Sequence, residues 1–153
     1  MVDESGVAAR VWIHLTAKLT LGMPELTRDE SATWVWPRMR LAFPETIAAI
    51  LMPDHPHLLM PSADAEADRR RLARLLGQLA RRLGVRGQAS IAPPPELIRP
   101  GIVLARQVRY IALNPCRKRL RRCPLAWRWS THRDVIGATV EPWVTDRRLP
   151  LAS

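Results

Sequence analysis

The stretch from Asp64 to Leu83 constrains the fold more than any other part of the sequence. Leu72, Leu75, Leu76, Leu79 and Leu83 recur at helical spacing and build one apolar stripe. Asp64, Glu66 and Asp68 occupy the first turns, where the helix dipole favours negative charge, and Arg81 and Arg82 occupy the last. Gly84 supplies the C-terminal stop. Opposite the leucines, Arg70, Arg74 and Arg81 form a basic outer face.

Around this helix the chain reads as short elements punctuated by proline. Val11 to Thr20 (VWIHLTAKLT) is rich in β-branched and apolar residues with rough alternation, which predicts a strand. Leu21-Gly22-Met23-Pro24 predicts a turn. Thr27 to Leu41 begins like a helix, with Thr27 three residues before Glu30 as in a capping box, and Pro37 should kink or break it. Ile47 to Met52, bounded by Pro44 and Pro53, and then Leu58 to Met60 predict two strands or one long bent one, with the intervening histidines at the edge of the sheet.

Downstream, Arg86 to Gly101 contains Pro93, Pro94, Pro95 and Pro100 and predicts an irregular crossing loop. A second helix should run from Ile102 to Leu113 and stop at Asn114-Pro115, because proline disfavours helix at the residue before it. Arg117 to Arg122 predicts a basic loop, and Trp127 to Gly137 a short helix capped by Ser130 or Thr131. Beyond Pro142 the chain is thin in apolar residues and should be loosely held. The expectation is a single domain over residues 1–143 with a loose tail over 144–153, without repeats or low-complexity segments.

A chain of 153 residues with a 47% hydrophobic fraction can bury a real core. No apolar run is long enough to cross a bilayer, and Met1 to Ala9 carries Asp3 and Glu4 without a cationic start, so a signal peptide is not expected. The reading is a cytoplasmic, nucleoid-associated protein whose two cysteines, Cys116 and Cys123, stay reduced. Net charge is +10, and it is lopsided. From Arg69 to Arg128 there are sixteen Arg or Lys against one acid, Glu96, whereas the first 68 residues hold ten of the fourteen acids. Such a field attracts polyphosphate by releasing condensed counterions. Without an amphipathic helix bearing bulky aromatics, nucleic acid is a better expectation than a membrane.

Two features could carry chemistry. His55 and His57 are one residue apart, so on a strand both imidazoles project from the same face and offer two nitrogens to a divalent cation. A bare His-x-His is more often a pair of surface or edge histidines. Pro56 between them cannot donate to a ladder, which puts the pair on an edge or at a strand end. Asp54 is either a group that orients one imidazole or a turn former. Tyr110 is the lone tyrosine. With Leu104, Val108 and Ile111 as the buried face of its helix, it lies on the flank with Gln107 and Asn114, and Arg106 sits one turn earlier. A flanking aromatic is ordinarily packing, but a phenol beside an arginine and near a metal can act as a nucleophile toward phosphate.

Three strings carry a resemblance. Met52 to Leu59 (MPDHPHLL) resembles the His-hydrophobic-His motif of HUH nucleases. Val108 to Leu120 (VRYIALNPCRKRL) resembles the tyrosine helix of REP-associated tyrosine transposases and their insertion-sequence relatives. Pro124 to Gly137 (PLAWRWSTHRDVIG) looks like the Trp-Ser-Thr stretch that follows in that family. The three occur in the family's order across Met52 to Gly137, and Val11 to Thr20 resembles the first strand more loosely.

The resemblance implies an α+β fold, a ferredoxin-like antiparallel sheet with helices packed on one face. It implies Mg²⁺ or Mn²⁺ held by His55 and His57, with Asn114 as third ligand, and Tyr110 as the nucleophile that forms a 5′-phosphotyrosine link. The implied activity is cleavage and rejoining of single-stranded, hairpin-flanked DNA. The proline-rich segment stands where relatives usually show strand-like sequence, which would leave the sheet a strand short.

Arg70, Arg74, Arg81, Arg106, Arg117, Lys118, Arg119, Arg121 and Arg122 would then hold the DNA backbone. Trp127 and Trp129 either stack on unpaired bases or, as is commoner for residues so large and apolar, pack in the core. His132 and Arg133 would also approach phosphate, with no catalytic role assigned to either. A homodimer is compatible with the resemblance, and the sequence leaves open which subunit's metal Tyr110 would serve. Two other functions compete: a basic nucleic-acid-binding module of the same fold without chemistry, and a metal-dependent phosphoesterase in which Tyr110 merely packs.

Overall fold

The computed structural model describes residues 10–18, 25–85 and 92–144. In chain order the elements are β1 (Val11–Thr16), α1 (Asp29–Ala42), β2 (Ala48–Leu51), β3 (Pro56–Ser62), α2 (Ala65–Arg82), β4 (Glu96–Ile98), α3 (Ile102–Arg117), a 3-10 turn (Pro124–Ala126) and α4 (His132–Val135). The strands form one antiparallel sheet in the order β2-β3-β1-β4. The architecture is the expected α+β one, with the strand order of a ferredoxin-like fold.

Alternation along the strands sorts the core into two layers. Ile13 and Leu15 of β1, with Leu58 and Met60 of β3, point to one face and pack against the buried faces of α1 and α2. The leucine stripe of α2 meets them there, with Leu72, Leu76 and Leu79 fully buried. The alternate residues, Trp12 of β1, Ala48 and Ile50 of β2, Leu59 of β3 and Ile98 of β4, point the other way and pack against Leu104 and Ile111 of α3. So α1 and α2 cover one face as a pair, and α3 lies across the opposite one.

Several boundaries differ from the sequence-based expectations. The first strand ends at Thr16, and the expected turn at Leu21–Pro24 lies outside the described residues. α1 has Arg28 as its N-cap with no side-chain cap bond, so there is no capping box at Thr27, and the helix runs unbroken through Pro37. Thr33 and Pro37 are both exposed, so the carbonyl that the proline leaves without a donor can face water. Arg86–Gly101 is not wholly irregular: its Glu96–Ile98 pairs with His14–Trp12 of β1, so the sheet is not a strand short. Three of the four proline-free residues between Pro95 and Pro100 suffice for an edge strand.

α3 does not stop at Leu113. It continues through Asn114 and Pro115, both buried, to Arg117, and the Pro115 carbonyl accepts from the backbone N–H groups of Leu120 (2.8 Å) and Arg121 (3.3 Å), which secures the end of the helix. Arg119 then adopts a left-handed backbone at φ 58° and closes the helix as a glycine commonly would.

The expected helix over Trp127 to Gly137 shrinks to His132–Val135. The residues before it run beside β2 instead: Leu51 N–H donates to the Trp129 carbonyl (2.9 Å) and Thr131 N–H to that of Ala49 (3.0 Å). The Thr131 hydroxyl accepts from Ala49 N–H at 2.8 Å, so it does not cap α4, and this segment covers an otherwise open sheet edge. The Ser130 hydroxyl accepts from His132 N–H at 3.2 Å.

Beyond Pro142, where a loose tail was expected, Trp143 and Val144 are buried, and the Asp134 carboxylate accepts from both of their N–H groups (2.9 and 3.1 Å). Cys116 and Cys123 are free thiols. Among the described residues no helix is long and apolar enough to cross a membrane.

Ser31 is fully buried in α1, and its hydroxyl has no hydrogen-bond partner among the described residues. Burying an unpaired hydroxyl costs roughly 1–3 kcal/mol, and alanine is the better helix former. Ser31→Ala should therefore stabilise the protein by about 1 kcal/mol and raise Tm by about 2–4 °C. A lower Tm in a calorimetric scan would contradict the burial of that hydroxyl.

Candidate active site

β3 lies between β2 and β1, and His57 is its second residue, opposite Ile50 on one side and Thr16 on the other. That register turns its side chain to the α3 face of the sheet. Pro56 opens the strand, a position where a missing N–H is tolerated. His55 precedes the strand, and its carbonyl accepts from Met52 N–H at 2.9 Å, which closes the link from β2 to β3. The two rings sit 4.5 Å apart, edge to face.

From the opposite layer, α3 presents Gln107, Tyr110, Asn114 and Arg117 along one flank, as its helical period requires. Asn114 is 3% exposed, and its amide nitrogen lies 3.0 Å from Nε2 of His57. The Tyr110 ring stands 6.4 Å from the His57 ring, nearly perpendicular to it. The Arg117 guanidinium stacks over Tyr110 at 4.5 Å from the ring centre. Such a contact contributes about 0.5–1 kcal/mol at an exposed site and holds the phenol's plane.

One member was missed in the sequence. His14 of β1 is buried, stacks on His57 at 5.0 Å, and brings its Nε2 to 2.8 Å from His57 Nδ1. Its own Nδ1 faces the Glu96 carboxylate at 3.3 Å and the Gln107 amide at 3.1 Å. The signal available was a polar side chain in register with Trp12 on a strand whose other residues are mostly apolar. A second signal was the solitary acid of the basic half, Glu96, which turns out to be His14's partner across β1 and β4.

Burial, reinforced by the neighbouring His55 and His14, depresses the pKa of His57 to about 3. Burial also lowers that of His14, against the pull of Glu96. Burial pushes the Asp54 carboxyl up, but its 2.6 Å contact with His55 Nδ1 and the nearby charges of His55 and Lys18 outweigh this and hold it below the usual range.

Among the described residues no group of three or more His, Cys, Asp or Glu side chains is arranged to hold a metal ion. The donor set implied by the sequence is different in kind: two imidazoles and the Asn114 amide. His57 is held neutral, as a metal-ligating imidazole would have to be, and His55 turns Nδ1 to Asp54, so that a cation could be offered its Nε2. His57 Nε2 lies 3.0 Å from the Asn114 amide nitrogen, so the two side chains are neighbours, and an amide turned over would offer its oxygen, a suitable ligand type for such an ion. In chemistry these residues fit Mg²⁺ or Mn²⁺.

Other expected residues are spread further. Arg106, Lys118, Arg119, Arg121 and Arg122 are exposed on α3 and the loop after it, on the same side of the sheet as the histidines. Arg70, Arg74 and Arg81 are exposed on α2, which packs on the opposite face, so the sheet separates them from His57. Trp127 is buried, donating to the Leu51 carbonyl at 2.9 Å, and Trp129 is half-buried between Arg128 and Trp36, so both pack rather than present open stacking faces. A cleft of about 400 Å³, walled by Ala48, Ala105, Val108, Arg109, Thr131 and His132, lies along another flank of α3 and includes none of the clustered histidines. The histidine cluster sits away from that cavity.

No family model matches the sequence, and no curated protein matches it. Among solved structures, a REP-associated tyrosine transposase bound to a REP hairpin is similar, with a TM-score of 0.66 at 18% identity. The match covers 94% of this chain and 90% of that one. The two share a fold.

The unfolded chain accepts a proton on His57 near pH 6.5, whereas the folded protein excludes it until about pH 3. This histidine therefore adds stability that is complete above about pH 6.5 and is lost as pH falls toward 3. In metal-free buffer, His57→Gln should flatten the fall of unfolding free energy across that window. Parallel curves for the two proteins in a denaturant series would show that His57 is not held neutral.

Proposed function

We propose that the protein is a metal-dependent single-strand DNA endonuclease and transposase that cleaves and rejoins hairpin-flanked DNA through a 5′-phosphotyrosine intermediate. The observation that carries this reading is the convergence of Tyr110, His55, His57 and Asn114 on one face of the sheet, from segments far apart in sequence. The fold shared with a transposase that was solved on a REP hairpin supports it, as does the net charge of +10.

His55, His57 and Asn114 would hold Mg²⁺ or Mn²⁺, with the Asn114 amide turned to offer its oxygen. Bound there, the ion would supply Lewis-acid stabilisation of the charge that develops on the scissile phosphate. Tyr110 Oη forms the new bond to phosphorus as the bond to the 3′-oxygen breaks. The phenolic proton passes to solvent, and the departing 3′-oxygen takes up a proton to become a free hydroxyl. Arg117, stacked on the ring, keeps the phenol oriented and lays a positive charge beside the incoming phosphate. Rejoining is the reverse, with a 3′-hydroxyl attacking the phosphotyrosine. The phosphate backbone would run over Arg106, Arg117, Lys118, Arg119, Arg121 and Arg122, which lie on the site's side of the sheet. Arg70, Arg74 and Arg81 would touch only DNA that wraps to the far layer.

Incubation of labelled hairpin DNA with Mg²⁺ tests the chemistry. The protein should form a covalent adduct that survives denaturing gels, Tyr110→Phe should form none while still binding DNA, and His57→Ala should lower adduct yield by about 100-fold or more. Equal adduct in the parent and Tyr110→Phe would exclude the phenol as nucleophile. Cleavage without any adduct would favour hydrolysis by water, and binding without cleavage would favour a basic module that lacks chemistry.

The placement of the arginines gives a second test. Replacing Arg121 and Arg122 by alanine should weaken hairpin binding and reduce the log–log salt slope by about 1–2, roughly one for each phosphate no longer neutralised. Replacing Arg74 and Arg81 should change it much less. Equal effects from both pairs would mean that DNA spans both faces of the sheet.

A further inference from the structure

We propose that Glu96, acting through His14, fixes the proton of His57 on Nδ1 and so leaves its Nε2 bare, with its lone pair turned to the Asn114 side chain of α3. His14 is then a positioning residue, two side chains removed from the chemistry. The inference concerns the hydrogen-bond chain, and it rests on the function proposed above only in its last link, that Nε2 serves a metal.

The chain is Glu96 to His14 to His57 to Asn114, with separations of 3.3, 2.8 and 3.0 Å. It spans the sheet from edge strand β4, through β1, to β3, and ends on α3. Two neutral imidazoles whose nitrogens meet at 2.8 Å need one proton between them, so the chain can run in either of two directions. In the first, His57 Nδ1–H donates to His14 Nε2, and His14 Nδ1–H donates to the Glu96 carboxylate. His57 Nε2 is then bare and accepts from the Asn114 amide. In the second, every proton is reversed: His14 donates to His57, and His57 Nε2–H donates to Asn114.

Amide groups do not decide between them, because Asn114 and Gln107 can each present nitrogen or oxygen by a half-turn. As they stand, the Asn114 nitrogen suits the first direction and the Gln107 nitrogen suits the second. The carboxylate has no such freedom. Ionised Glu96 can only accept, so in the second direction it would face the lone pair of His14 Nδ1 at 3.3 Å, acceptor against acceptor. Only the first direction gives His14 a proton to offer it. Gln107 completes that arrangement by turning its oxygen to the same N–H. Carboxylate-to-imidazole contacts of this kind fix which nitrogen of a ligating histidine stays bare. Here a second imidazole relays the effect across one more strand.

Long-range ¹H–¹⁵N correlation spectra of ¹⁵N-histidine protein, metal-free and near neutral pH, read the tautomer directly. The His57 signals are identified by their loss in His57→Gln. Wild-type protein should show His57 with its proton on Nδ1. Glu96→Gln, at a side chain 65% exposed and so tolerant of change, gives His14 a neighbour that can donate, and should move part of the population to Nε2–H. His14→Leu removes the acceptor, and should lower Mn²⁺ affinity by about 10- to 100-fold as read by the electron paramagnetic resonance of free Mn²⁺.

A wild-type His57 protonated on Nε2, or identical spectra for wild type and Glu96→Gln, would overturn the inference whether or not His14→Leu folds. The two readings fail separately. An Nδ1–H wild type that binds no Mn²⁺ would uphold the hydrogen-bond chain and sink the metal-dependent function. An Nε2–H wild type that still forms the DNA adduct would do the reverse.

Discussion

Strict alternation of side chains along β1 and β3 is the constraint on which the rest of the molecule depends. Neighbouring residues of these strands serve opposite layers: Ile13, Leu15 and Leu58 enter the core beneath α1 and α2, while His14 and His57 emerge beneath α3. A one-residue slip in either strand would exchange the two sets, burying imidazoles among the leucines of α2 and turning Ile13, Leu15 and Leu58 toward the polar flank of α3. The greasy layer with α1 and α2 therefore enforces the register that brings the histidines together.

On the other layer, polar and apolar contacts share the work of seating α3. Leu104 and Ile111 dock it on Ala48, Ile50 and Leu59, and Asn114 ties its C-terminal half to His57. Passage of the helix through Pro115 matters here. A helix that ended at Leu113 would leave Asn114 without a fixed direction and would carry Arg117 away from Tyr110. The strand-like run of Trp129 to Thr131 along β2 closes the remaining edge, with one hydroxyl of Thr131 serving both the N–H and the carbonyl of Ala49. Trp143 then reaches back to donate to the Phe43 carbonyl at 3.1 Å, which clamps the end of the described chain onto α1.

Much of this was legible before any coordinates. The leucine helix, the strands around the histidines, the presence of a tyrosine helix and the sharing of one flank by Tyr110, Gln107 and Asn114 all follow from local periodicity. Misreadings cluster where a local rule met a tertiary reward. Pro37 and Pro115 should have broken helices, but at Pro37 the exposed Thr33 carbonyl can turn to water, and at Pro115 the burial of Asn114 and Pro115 outweighs the one hydrogen bond that the proline forgoes. The triple proline hid a strand only three residues long, whose pairing with β1 no periodicity could reveal. His14 sat unremarked within a correctly read strand because its partners lie 43 and 82 residues away.

What the sequence determined by itself was the set of parts. Its periods of 2 and 3.6 specify which residues share a face, and its charges specify which surfaces stay wet, because both are properties of short stretches of chain. Only the tertiary structure decided which faces meet. Whether His57 would touch His14, whether Glu96 would be a loop acid or a partner in a hydrogen-bond chain, and whether the arginines of α2 and α3 share a side depend on strand order and on the side of the sheet to which each helix returns. Those choices are set by burial summed over the whole core, a quantity that no single segment contains.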